Sequence, residues 1–336
     1  MKKILITGAN GQVGTEYQLS PPLPDWDYYF LSKEELDITN SRRVQRVFRD
    51  IEPDAVLNLA AFTDVEKAET EYASLAYEIN VNGPKNLAIA CEKHEIPLIH
   101  ISTDYVFDGT KTDLYTEKDE ENPINMYGKT KFLGEEILRE NCSWYYILRT
   151  SWVYSNHTKN FFTTMLSLAQ ERGTLNVVND QYGSPTSAKE VCNAVDTILK
   201  DLDRDKSGVY HYSGLGKTTW KDFAIEIFNQ TRVAVTVNAV SSSSWPSKVN
   251  RPMNSYMSSG KFYAEFGRFP IHWKNALREV VSERKILPIK VGDVVVIQDE
   301  PRIIVSTDWL KKIARISKPD DLSNSIEISF NELSVK

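Results

Sequence analysis

Tyr127 and Lys131 stand four residues apart in Tyr127-Gly128-Lys129-Thr130-Lys131, at the start of a predicted helix. On a helix that spacing puts both side chains on one face, one turn apart. An ammonium held near a phenol favours the phenolate and draws the phenol's pKa down towards working pH. Such a pair can pass a proton to or from a carbonyl or alcohol. Spacing alone is not diagnostic, because Tyr29 and Lys33 share it. That second pair follows an aromatic run that reads as a strand, where four residues span about 13 Å. The surrounding elements must therefore distinguish the two.

Ile4 to Thr7 reads as a short buried strand, followed by Gly8-Ala9-Asn10-Gly11-Gln12-Val13-Gly14 and a helical stretch through Leu19. Glycines at a strand-to-helix turn allow a pyrophosphate to approach the backbone, and the helix N-terminus supplies amide donors. Between a strand and a helix the run predicts a dinucleotide site. Tyr28 to Leu31 is the second predicted strand. After it, Ser32 and Lys33 suit a ribose 2′-phosphate, whereas Glu34 and Glu35 suit a free 2′-hydroxyl, so the pattern leans to NADPH and also admits NADH. Asp37 is a candidate adenine contact or a cap for the helix expected over Arg42 to Asp50.

Ala55 to Leu59 is a third strand, running into Ala60-Ala61-Phe62-Thr63, and small residues at a strand's carboxyl end let a flat cofactor lie close. One long helical stretch is expected from Glu69 to Glu92, with Asn80, Asn82 and Asn86 as polar packing residues. Leu98 to Ser102 is a fourth strand. It ends in Ser102-Thr103-Asp104, and a hydroxyl at this strand end can donate to a substrate carbonyl. The Tyr127 helix is expected to run to Glu140, and Trp144 to Thr150 to form the fifth strand. This alternation predicts an α/β fold, a Rossmann-like doubly wound parallel sheet. Beyond Trp152 the pattern loosens into helices over Phe161 to Glu171, Ala188 to Lys200, Trp220 to Phe228 and Trp273 to Arg284, with strands over Leu175 to Val178, Gly208 to Tyr212 and Val235 to Ala239. A dinucleotide domain is therefore expected over 1–151, completed by parts of 158–213, with a smaller α/β substrate domain over 152–286. From Leu287 the character changes. A hairpin of Val294 to Ile297 with Ile303 to Ser306, a short helix capped by Thr307 and a last strand over Ile326 to Phe330 form an appended element of unassigned role over 287–336.

Composition narrows the class. The chain has 336 residues, 41% of them apolar and 11% aromatic, which fits a globular protein rather than a disordered one. A net charge of −6 argues against a nucleic-acid partner. Cys91, Cys142 and Cys192 are too dispersed for a disulfide framework and read as reduced thiols, in keeping with a cytoplasmic location. The five histidines lack zinc-site spacing. The first apolar run is too short for a signal peptide, and nothing later approaches a membrane span.

In this order, the glycine turn, Ala60 to Glu69, Ser102 to Gly109, Tyr127 to Lys131, Leu148 to Trp152, Asp180 to Thr186 and Arg251-Pro252 resemble the extended short-chain dehydrogenase/reductase superfamily, and within it the dTDP-4-dehydrorhamnose reductases. The resemblance covers residues 1 to about 286. Glu66 departs from it, standing where the family usually carries aspartate. The resemblance implies reduction of the 4-keto group of dTDP-4-dehydro-6-deoxy-L-mannose to dTDP-L-rhamnose, a step of cell-surface polysaccharide synthesis. Tyr127 would give the proton, Lys131 hold the nicotinamide ribose, and Thr103 bond the carbonyl oxygen. Gly8, Asn10, Gly11, Gln12, Val13, Gly14, Ser32, Asp37, Ile38, Ala60, Ala61 and Thr63 would surround the cofactor. Asp104, Phe107, Trp152 and Arg251 would meet the sugar nucleotide. The resemblance also brings Mg²⁺ at a subunit contact, for which the chain shows no local ligand cluster, and surface helices that could pair in a homodimer.

Two other readings remain. An epimerase or dehydratase would use the same fold. Family dehydratases place an aspartate–glutamate pair after the strand-end threonine, whereas here Asp104 is followed by Tyr105. A non-catalytic cofactor-binding regulator is the third reading. Such relatives often lose the tyrosine or lysine, and both are present here.

Overall fold

The computed structural model describes residues 1–247, 249–284, 294–297, 300–308, 313–318, 321–329 and 334–335. Six strands form one sheet, in the spatial order Trp26–Leu31, Lys2–Thr7, Ala55–Asn58, Leu98–Thr103, Tyr145–Thr150 and Gly208–His211. Every pairing within it is parallel. Parallel strands need crossovers on both faces, so their residues are buried on both sides; Ile4, Leu5, Ile6, Val56, Leu57, Ile99 and Leu148 have no exposed surface. The chain order reverses between Lys2–Thr7 and Ala55–Asn58, and the carboxyl ends of these strands open the crevice where ligands of such sheets bind.

Two apolar layers cover the sheet. One contains Tyr17, Ile198 and Phe262, the other Val44, Phe48, Leu87 and Leu138. A third cluster joins Tyr154, Phe162, Leu175, Phe223 and Trp273 among the later helices. There Thr174–Val178 and Thr236–Val240 pair as a separate parallel ribbon.

Several boundaries differ from the sequence reading. The long helical stretch expected from Glu69 to Glu92 runs without a break from Ala73 to His94, as Ala73–Tyr77, a π-helical segment Glu78–Asn82 and Gly83–His94. Pro84, in the first turn of the last of these, lacks the N–H of an α-helical bond, and the π-helical segment lies directly before it. The helix Ser41–Ile51 is capped by Asn40, whose side chain accepts from the Arg43 N–H, and not by Asp37. Asp37 instead accepts from the backbone and hydroxyl of Thr39. In the tail, Glu300–Asp308 is one strand paired with Val294–Ile297 and with Ile313–Lys318, so Thr307 lies in a strand. β-Branched and apolar residues at Ile303, Ile304, Val305 and Thr307 suit an extended chain. The rest of that expected helix, 309–312, and Phe330 lie outside the described residues.

Candidate active site

The helix Met126–Asn141 carries the tyrosine and lysine. Asn125 caps it by accepting from the Gly128 N–H at 2.8 Å, which fixes where its first turn begins. Gly128 is required by packing, since a Cβ there would collide with the Tyr105 carbonyl. The absence of a side chain lets the helix ride on the turn after the fourth strand, bringing Tyr127 beside Thr103. Further along, Glu135 receives the Arg149 guanidinium at 2.6 Å and also the Ser102 hydroxyl, with every partner buried. Arg149 pairs with Glu121 as well, and its charge lies over the Phe107 ring. A buried charge stripped of its partner is costly, so this strut holds the helix against two strands.

Lys131 is almost wholly buried and donates from Nζ to the Ile101 carbonyl at 2.7 Å. Burial lowers it to about 8, against the pull of Glu135. Tyr127 is raised to about 12, because burial and the nearby Asp104 charge outweigh a Thr103 hydrogen bond. The lowering expected from Lys131 is therefore not what this geometry produces, since the lysine nitrogen is drawn to Ile101. Asp104 is raised to about 7 by burial, with Ser255 and Thr103 pulling it back.

A cleft of about 620 Å³ brings together Asn10, Gly11, Gln12, Val13, Gly14, Ala61, Thr63, Thr103, Asp104, Tyr127, Lys131 and Trp152. A second hollow of about 250 Å³ shares Asn10, Gly11 and Ala61 with it and adds Gly8, Lys33, Asp37, Ile38 and Ala60. Gly8 has φ +68°, and a Cβ on it would stand 2.6 Å from the Ala60 N, so the first and third strand ends touch through a bare backbone. Gly11 offers no side chain to cap the helix Gln12–Leu19 that it precedes. That leaves the first turn as a cradle fit for a diphosphate. The Ala60–Thr63 loop is clamped by Asn80, which accepts from Phe62 N at 2.8 Å and donates to Phe62 O at 3.0 Å.

Three expected residues lie elsewhere. Ser32 is outside both hollows, its N–H bonded to Glu35; Lys33 takes the place assigned to it. Phe107 is fully buried, stacked on Tyr115 with ring centroids 4.2 Å apart, and belongs to the core beneath Arg149. Arg251 opens on neighbouring hollows and pairs with Glu66 at 2.7 Å, where the longer acid of this chain reaches it together with Ser247. Trp152 does line the cleft. Its φ is +46°, and its indole stacks on Trp220 at 3.5 Å.

Sequence reading missed Trp220, Phe161, Lys159 and Asn160, which line the cleft from remote positions. It also missed the buried His100 and Asn58 behind Lys131. A lone histidine in a strand carries no motif, though a polar residue inside an otherwise apolar run was a usable signal. Among the described residues no group of three or more His, Cys, Asp or Glu side chains is arranged to hold a metal ion, which leaves the Mg²⁺ of the resemblance without a site there. No described helix is long and apolar enough to cross a membrane.

A parallel sheet with a glycine cradle at its switch point, and a tyrosine–lysine helix beside a strand-end threonine, define a nicotinamide-dinucleotide oxidoreductase of the Rossmann-like type. Comparison with known proteins narrows this further. Residues 1–286 match the family described as RmlD substrate binding domain, and the chain belongs to that family. It is 38% identical over 292 residues to the dTDP-4-dehydrorhamnose reductase of Aggregatibacter actinomycetemcomitans, spanning 83% of this chain and 98% of that protein. Among solved structures, dTDP-4-dehydrorhamnose reductase from Bacillus anthracis in complex with NADP superposes with a TM-score of 0.81 at 36% identity, covering 84% of this chain and all of the other. A dTDP-4-dehydrorhamnose reductase from Clostridium acetobutylicum gives the same TM-score, 0.81, at 38% identity and the same coverage. A Thermus thermophilus UDP-glucose 4-epimerase, 18% identical with a TM-score of 0.70, shares the fold.

Proposed function

We propose that this protein reduces the 4-keto group of dTDP-4-dehydro-6-deoxy-L-mannose to dTDP-L-rhamnose, with NADPH as the preferred cofactor. The observation that carries the reading is the convergence of Tyr127, Lys131 and Thr103 on the cleft that also holds the glycine cradle. The relatives named for this reaction supply the sugar's identity. When bound, the nicotinamide supplies the hydride. Residues 1–151 with the strand Gly208–His211 hold the cofactor, and residues 152–286 supply much of the sugar side.

Gly11, Gln12 and Val13 receive the diphosphate at the helix N-terminus, while Gly8, Ile38, Asp37 and Ala60 enclose the adenosine. Lys33, which shares the adenosine hollow with Glu34, would read the 2′-phosphate. Ala61 and Thr63 flank the nicotinamide half. Thr103 bonds the carbonyl oxygen, stabilising charge that grows as the ketone is reduced, and Tyr127 gives its proton to that oxygen. A phenol near 12 remains protonated at working pH and is thus a competent donor. Lys131 orients the ribose. Asp104 and the Trp152–Trp220 stack form the sugar wall, aromatic faces being suited to sugar C–H surfaces. Arg251 leaves Glu66 to meet the substrate diphosphate bidentately.

The test is oxidation of NADPH, and separately of NADH, in the presence of the 4-keto dTDP sugar, followed by product stereochemistry. Oxidation with a rhamnose product supports the reading. A 6-deoxytalose product keeps the reduction and changes the epimer, and no oxidation with either cofactor defeats it.

A further inference from the structure

The Gln12 side chain reaches from the cofactor side of the cleft to the sugar side. Gln12 opens the helix Gln12–Leu19 at the glycine cradle, yet its Nε2 donates to the Val153 carbonyl at 2.9 Å, 141 positions along the chain. A carbonyl only accepts, so the amide nitrogen must face Val153. The other amide atom, Oε1, is buried with no partner among the described residues. The bond to Val153 is thus what orients this side chain.

Val153 follows Trp152, whose φ of +46° is a conformation that a bulky residue keeps only when its surroundings hold it there. Those surroundings can be named. Just before it, the Ser151 hydroxyl donates to the Ser184 carbonyl at 2.6 Å. The Trp152 carbonyl accepts from the Thr186 N–H at 3.3 Å, a long bond, and Val153 pairs with Thr186 as a two-residue strand. The indole lies against Gly183, where a Cβ would stand 2.5 Å from the ring. It is stacked on Trp220, with ring centroids 3.5 Å and planes 7° apart. Of all these contacts, the Gln12 bond alone comes from the cofactor turn.

We propose that Gln12 is a positioning residue for sugar binding: its side chain holds the Trp152–Val153 backbone from the cofactor turn and so sets the Trp152–Trp220 wall, while its main-chain N–H serves the cofactor. This rests on the reading of that wall as the sugar side of the active site. Released from Gln12, the Val153 carbonyl is free to turn. The strained backbone at Trp152 then relaxes towards negative φ and carries the indole off Trp220. A wall held in place before the sugar arrives spares the sugar the cost of ordering it.

The wall is read on the full chain labelled with ¹⁵N-tryptophan, without cofactor or substrate. The indole ¹H–¹⁵N signals of Trp152 and Trp220 are identified by their loss in Trp152→Phe and Trp220→Phe. In the wild-type chain each should be displaced by the ring current of its stacked partner. Gln12→Met keeps the side chain's length and the main-chain N–H but removes the donor, and there both signals should return towards ordinary indole positions. In the same variant KM for the 4-keto dTDP sugar should rise about tenfold while the NADPH Kd stays within about twofold. Wild-type-like indole signals in folded Gln12→Met overturn the proposal, and so does weakened NADPH binding with an unchanged sugar KM. Should Gln12→Met fail to fold, Gln12→Glu has the same shape, no donor at neutral pH, and an acid in the first turn, where helices tolerate one. It should show the same loss of stacking, and wild-type-like signals there also overturn the proposal. Because the indole signals need no turnover, their outcome is separable from failure of the proposed reductase activity.

Discussion

The two sides of the cleft are built in opposite ways. The cofactor side is made of backbone: Gly8, Gly11 and the Ala60–Ala61 strand end lie within one stretch of chain each, and small side chains leave the main chain bare. The sugar side is made of large side chains from separate elements, with Trp152 stacked on Trp220 and Phe161 tilted against the latter. Between them, the Tyr127–Lys131 helix is fixed by the Glu135–Arg149 strut. A backbone cradle needs particular glycines at fixed spacing. A side-chain wall needs only bulk and shape, and these arrive from wherever the chain returns.

Substitutions should therefore separate the two sides. The largest effect is expected at the junction: Tyr127→Phe should lower kcat by about 10³-fold while leaving NADPH affinity nearly unchanged, because only the proton donor is removed. Near-wild-type turnover would remove Tyr127 from its role; lost NADPH affinity would show that the junction belongs to the cofactor side.

Asp104 tests the buried boundary with the sugar side through stability. Its folded value, about 7, lies above the ordinary 3.8, so between those values the folded state binds more protons than the unfolded. Stability then falls as pH rises from 4 to 7, by about 3 kcal/mol, and Asp104→Asn should flatten that slope. Denaturant midpoints at pH 4 and pH 8 measure it. A variant with the wild-type slope would show that Asp104 is not the group responsible.

On the cofactor side, Gly8→Ala meets both a positive φ and the Ala60 backbone, and should weaken NADPH binding by about tenfold, equivalent to 1.4 kcal/mol. Fluorescence titration reads it, and an unchanged Kd would break the claim that this side is backbone-built. The smallest stability effect is expected at the rim: Arg251→Ala loses a half-exposed pair with Glu66 and should cost under about 1 kcal/mol in unfolding free energy. Its KM for the dTDP sugar should nevertheless rise severalfold with NADPH binding intact; an unchanged KM would leave Arg251 as a rim salt bridge only.

Local chemistry made the cofactor side and the pair Tyr127 and Lys131 legible in the sequence. A strand, a glycine turn and a helix are contiguous, and the parallel sheet follows from their alternation. Phe107 was misplaced because proximity to Thr103 along the chain says nothing about which side of the strand end a ring turns to, and here it turns under Arg149. The expected cap at Thr307 gave way to a strand, where pairing across the sheet outweighs local pattern. Sequence alone thus determined the order of elements, the cradle and the tyrosine–lysine spacing, since each depends on neighbours along the chain. Only the tertiary structure decided the Trp152–Trp220 wall, the Arg251–Glu66 pair and the Thr7–Asn58–His100 chain behind Lys131. Those contacts join residues from about 40 to 185 positions apart, and packing, rather than spacing, brings them together.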